Sequence, residues 1–174
     1  MRTMRAAGAA IVMCLAIGGM PALAQQGSPM PTPGPAAWVT GTATCPTVDL
    51  GDHSTDADGV QHFRNGTFRC IKTTDDARVS GTETTTTWSA DWYGAPDLSK
   101  GEFVQWATVR LENDGGAWEG RLSGVGALPE PGDIITVWYT GTGGYAGLSY
   151  FEQLTGSEPW KLQGVIFPGD PPTP

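Results

Sequence analysis

From about residue 36 onward, apolar residues recur at every second position, and no stretch sustains them at i, i+3, i+4 and i+7. That period confines the chain to strands, each burying one face. Thr, Val, Trp and Tyr are frequent, and Gly and Pro break the pattern every ten to fifteen residues or so. Eight strands are expected, over 37–46, 60–73, 78–92, 101–112, 116–126, 132–140, 144–154 and 159–167. The fold class this implies is all-β, a single antiparallel up-and-down β-barrel of about eight strands, with a two-sheet β-sandwich as the alternative.

The sharpest local unit is the hairpin around Asn113-Asp114-Gly115-Gly116, where Asp-Gly as a two-residue loop suits a type I′ turn. That register sets Leu111 opposite Trp118, Val109 opposite Gly120 and Ala107 opposite Leu122, with Phe103 on the same apolar face. The other face carries Glu112, Arg110, Thr108 and Trp106 against Ala117, Glu119, Arg121 and Ser123, so Arg110 and Glu119 meet across it. A Gly-x-aromatic pattern recurs at Gly66-Thr67-Phe68, Gly101-Glu102-Phe103 and Gly116-Ala117-Trp118, with a looser copy at Gly143-Gly144-Tyr145. Glycine lets a strand bend and leaves room for a ring over the backbone, as a sheet that curls and closes requires.

The N-terminus reads as a secretory signal. Arg2 and Arg5 form a basic n-region, Ala9 to Ile17 an apolar h-region, and Ala22-Leu23-Ala24 a small-x-small cleavage site. The expected organisation is a signal peptide over 1–24, a Pro/Gly/Ser-rich linker over 25–35, a β-barrel domain over 36–167 and a Pro-rich tail over 168–174. Export to the periplasm or beyond follows, with no integral membrane segment after cleavage. Removing Arg2 and Arg5 takes the net charge from −8 to −10, a balance that argues against nucleic acid as a partner. The two cysteines left, Cys45 and Cys70, are expected to form a disulfide outside the cytoplasm.

The run Thr142-Gly143-Gly144-Tyr145-Ala146-Gly147-Leu148, with Gly156 after it, resembles the late hairpin of allene oxide cyclase-like and dirigent-like β-barrels. Asp76-Ala77-Arg78-Val79-Ser80-Gly81-Thr82 and the ending Gly164-Val165-Ile166-Phe167-Pro168-Gly169 are similar to segments of uncharacterised secreted bacterial proteins of this kind. The resemblance implies a barrel more than an activity, and no cyclase catalytic residue maps onto this chain. A cofactor-free cyclase or isomerase is the enzymatic alternative it suggests.

No catalytic motif, phosphate loop or dinucleotide fingerprint is present, and no cofactor is called for. Asp52 to Gly59 resembles part of a calcium loop, but a twelve-residue reading from Ser54 ends on Asn65 where a Glu is needed. His53 and His62 lack a third ligand, so no metal is expected. Glu83 and Asp91 share parity but would stand about 27 Å apart at ~3.4 Å per residue, too far for a catalytic carboxylate pair. Glu83, Asp91, Glu119 and Glu152 are read as solvated outward groups. Trp118 and Trp160 share parity with apolar residues and belong to the core. The candidates for contacting a ligand are Trp88, Trp92, Trp106, Tyr145, Arg110 and Glu119. The leading expectation is non-catalytic binding of a small apolar or amphipathic molecule. If Trp88 and Trp92 lie exposed on their Thr-rich strand, they would instead form the flat platform of a carbohydrate-binding module.

Overall fold

The computed structural model describes residues 36–94 and 98–171. The expected signal peptide and linker lie outside the described residues. Nine antiparallel strands follow in order: β1 Ala37–Asp49, β2 Asp52–Thr55, β3 Gln61–Thr74, β4 Gly81–Tyr93, β5 Gly101–Asn113, β6 Gly116–Leu128, β7 Gly132–Gly143, β8 Leu148–Gly156 and β9 Trp160–Pro168. Sequential neighbours pair from β3 to β9, and β1 pairs with both β9 and β3, so the sheet closes in a ring. The all-β, barrel-like architecture holds, and the sandwich alternative does not.

The alternation explains the ring. Inward positions such as Val39, Leu111, Val137, Tyr139 and Ile166 are fully buried, while their chain neighbours are more exposed. The β5–β6 register is the expected one, with Leu111 opposite Trp118, Val109 opposite Gly120, Ala107 opposite Leu122 and Arg110 opposite Glu119. The turn differs from the expected type. Neither Asp114 nor Gly115 takes a positive φ, so it is not type I′. Asn113 closes it instead, accepting the Gly115 N–H at 2.9 Å, and a Cβ on Gly115 would lie 2.3 Å from the Tyr145 hydroxyl.

Three other expectations need correction. The acidic stretch after β1 was expected to be a loop, yet Asp52–Thr55 forms the short strand β2 on the first residues of β3. Residues 77–79 form a 3₁₀ turn capped by Asp76, which delays β4 to Gly81. Tyr145 does not begin a strand. It lies in the turn between β7 and β8 and stacks on Trp118 with ring centroids 5.0 Å apart.

That 3₁₀ turn closes one end of the ring. Val79 is fully buried, the Trp118 indole donates to the Arg78 carbonyl at 2.7 Å, and the Asn113 amide donates to the carbonyls of Ala77, Arg78 and Ser80. Cys45 and Cys70 are joined by the expected disulfide across β1 and β3.

Candidate functional site

At the end opposite the 3₁₀ turn, the interior holds a cavity of about 310 Å³. Its walls are apolar and largely aromatic, with Phe68, Trp88, Trp92 and Phe103 on one side and Leu122, Ile135, Leu154 and Trp160 on the other. Exposed Leu50, Ser157 and Glu158 stand at its rim, so it opens to solvent where β1, β4, β6 and β8 end. Trp88 and Trp92 face inward, 7% and 9% exposed, so they line this cavity and form no external platform. Trp92 stacks on Phe103 with centroids 4.6 Å apart.

The polar groups at the floor come from four strands. Lys72 on β3, Glu83 on β4, Tyr139 on β7 and Glu152 on β8 all point inward and are buried. The Lys72 ammonium donates to Glu83 Oε2 at 2.6 Å, to the Tyr139 hydroxyl oxygen at 2.7 Å and to Glu152 Oε1. The Tyr139 hydroxyl in turn donates to Glu83 Oε2. Glu152 Oε2 and the Tyr150 hydroxyl are buried and complete no hydrogen bond among the described residues. Lys72 and Glu83 reach the cavity itself.

Electrostatics follow from burial in a confined space. Burial pulls the Lys72 pKa down, but Glu152 and then Glu83 outweigh it and hold the ammonium above its ordinary value. Glu152 is shifted upward by burial first. Lys72 opposes that shift and Glu83 adds to it. Burial, followed by the Glu152 carboxylate, pushes the hydroxyls of Tyr139 and Tyr150 well above the usual range, so both stay protonated. Nearer the rim, burial also raises Asp133, against the Trp160 indole that donates to it at 2.9 Å.

Two glycines make room for the tyrosines. A Cβ at Gly120 would lie 2.5 Å from Cδ1 of Tyr139, and one at Gly164 would lie 2.7 Å from Cε2 of Tyr150. In each case the ring lies over a glycine of the adjacent strand.

The other sequence candidates lie elsewhere. Arg110 and Glu119 are exposed and paired on the outside, where Arg110 also bonds Glu112 at 2.6 Å. Trp106 is external and 42% exposed, with the Arg64 guanidinium 5.1 Å from its ring. Tyr145 packs at the closed end and gives its hydroxyl proton to Asn113. Trp118 is core, and Trp160 lines the cavity.

Reading Glu83 and Glu152 as solvated outward groups was wrong. Glu152 sits between Tyr150 and Leu154 on an inward parity, and Lys72 follows Phe68 and Cys70 on another. A charge placed in phase with apolar residues was the available signal. Asp91 does face outward, because a bulge at Thr86–Thr87, with Thr87 at φ +55°, flips parity between Glu83 and Asp91. There Asp91 accepts from Arg64 at 2.7 Å and pairs with His62 Nδ1 at 2.7 Å. His53 stacks on Phe63 instead of joining His62, and no cluster of metal-ligating groups occurs among the described residues. In the former calcium-like loop, Asp56 Oδ1 accepts the backbone N–H groups of Asp58 and Val60.

No family model matches the chain, and no curated protein matches it. Among solved structures it is similar to a DUF3224-family protein of unknown function from Shewanella oneidensis MR-1. The TM-score is 0.50 at 13% identity, covering 79% of this chain and 99% of that one. The likeness is one of fold.

Proposed function

We propose that this is an exported barrel whose interior binds one small apolar or amphipathic molecule. The observation that carries the reading is the cavity of about 310 Å³, open at one end, walled by aromatic and aliphatic side chains and floored by a few fixed polar groups. Ligand sites have this composition, with apolar walls for affinity and a small number of polar groups for orientation. Export is supported by the n/h/c pattern of residues 1–24 and by the Cys45–Cys70 disulfide. A mature mass beginning at Gln25 in the extracytoplasmic fraction tests it, and an unprocessed chain in the cytoplasm refutes it.

The binding test uses the neutral dye N-phenylnaphthylamine. Saturable fluorescence enhancement at one dye per chain is expected, and Leu122→Trp, which fills the cavity, is expected to abolish it while leaving the far-ultraviolet circular dichroism unchanged. Non-saturable enhancement, or enhancement indifferent to Leu122→Trp, overturns the reading.

A second reading is cofactor-free proton-transfer chemistry of the cyclase or isomerase type. It is favoured by the buried Lys72 and Glu83 standing against the cavity, where a held substrate would meet a carboxylate shielded from water. Recovery of every bound compound unchanged, with no deuterium gained from heavy water, refutes it.

A further inference from the structure

If the interior is a binding site, its unused hydrogen-bonding capacity specifies the headgroup it takes. We infer that the occupant is an apolar amine bound as its ammonium ion, seated on the free oxygen of Glu83. Among the described residues, Lys72 is the cavity's single basic lining residue, and its three N–H groups are already given to Glu83, Tyr139 and Glu152. An anionic headgroup would therefore find no free charged donor there. The indole N–H groups of the wall are also used, by Gln105 for Trp88, the Lys100 carbonyl for Trp92 and Asp133 for Trp160. The remaining donors are neutral, namely the Gln105 amide and the hydroxyls of Thr85 and Ser157.

Acceptors, in contrast, are in surplus. Glu83 takes both of its hydrogen bonds on Oε2, and Oε1 accepts none among the described residues. Glu83 is 4% exposed, so a cation meeting Oε1 does so largely out of water, where the attraction is stronger. Asp133 and Glu158 add two carboxylates nearer the mouth, and the chain carries a net charge of −8. That field favours entry of a cation and opposes an anion. The walls suit the same choice, because the faces of Trp88, Trp92 and Phe103 attract a cation while burying its apolar body.

The experiment is a competition titration with three probes sharing one chain: octylammonium, octanol and octanoate. Wall tryptophan fluorescence and native mass spectrometry are the readouts. Octylammonium is expected to bind at least about tenfold tighter than octanoate, with octanol between them. Glu83→Gln should remove most of that preference, weakening octylammonium far more than octanol. Asp133→Asn, away from the Lys72 network, should reduce the preference by a smaller factor and keeps the test decisive if Glu83→Gln does not fold. Octanol binding with octanoate equal to or tighter than octylammonium overturns the ammonium assignment and leaves the binding cavity standing. Failure of all three probes to bind the folded protein overturns both.

Discussion

Replacing Lys72 by methionine keeps the length of the side chain and removes the one cation that Glu83 and Glu152 share. All three residues are essentially inaccessible, at 2%, 4% and 0% exposure, and the ammonium makes three hydrogen bonds. Removing one partner of a buried ion pair costs about 3–5 kcal/mol, because the surviving charge stays desolvated. Here two carboxylates survive, and Glu152 already has one oxygen without a hydrogen bond. The variant can relieve itself by taking up a proton, and Glu152 is the group to take it, since burial and Glu83 both push its pKa upward once Lys72 no longer opposes them. A carboxyl whose folded pKa exceeds its unfolded value of about 4.3 weakens the fold as pH rises through the folded pKa, and it imposes no penalty below the unfolded one. The loss should therefore be largest near neutral pH and smallest in mild acid. Urea denaturation followed by tryptophan fluorescence, at about pH 7.5 and about pH 4.5, measures both ends. Combining Lys72→Met with Glu83→Gln and Glu152→Gln should recover most of the neutral-pH loss. A deficit below about 1 kcal/mol, or one equal at the two pH values, would refute the view that this lysine neutralises the barrel floor.

Three further outcomes are expected. Reducing the Cys45–Cys70 bridge, which closes a separation of 25 residues, should lower stability by about 3.5 kcal/mol on the chain-entropy account, read as a shift between urea curves with and without reductant. Gly120→Ala should cost about 1–3 kcal/mol in thermal denaturation, because the new Cβ meets Tyr139 Cδ1 at 2.5 Å and the Trp138 carbonyl oxygen at 2.9 Å; a neutral substitution would show that the ring is not held there. His62 should titrate above the ordinary histidine value by NMR, since its bond to Asp91 outweighs burial, and Asp91→Asn should bring it down. The raised pKa means that this pair supports the fold below about pH 6.5 and that its support is lost as pH rises through the folded value.

The scaffold was legible because strand pairing is written in period two. The register from Ala107 to Leu122 could be read from facing apolar residues and one Asp-Gly loop. What the pattern did not reveal is where parity breaks. Thr87 in a left-handed conformation and the irregularity between Phe63 and Phe68 each shift a strand by local backbone geometry that leaves no mark on composition. The floor of the cavity escaped for another reason. Charged residues in strands default to solvent, and Lys72, Glu83 and Glu152 come together only because β8, far along the chain, faces the neighbouring strands β3 and β4 across a narrow lumen. Each was in phase with apolar neighbours, but their mutual neutralisation was not visible until the ring was closed.

That closure has a consequence for the order in which the molecule is assembled. β1 is among the first strands in the chain, and along one edge it pairs with the last, Ala37 meeting Ile166 and Ala43 meeting Trp160. Its other edge is taken by β3, the contact that the disulfide fastens. A growing chain can therefore build the β1–β3 hairpin and add β4 to β8 by local meandering, while the outer edge of β1 and the growing edge of the sheet stay open to other chains. Only the last strand joins the two edges, a contact of long sequence separation and hence slow to form. Until β9 arrives the ring stays open, and its two unpaired edges are most exposed to misassociation just before it closes.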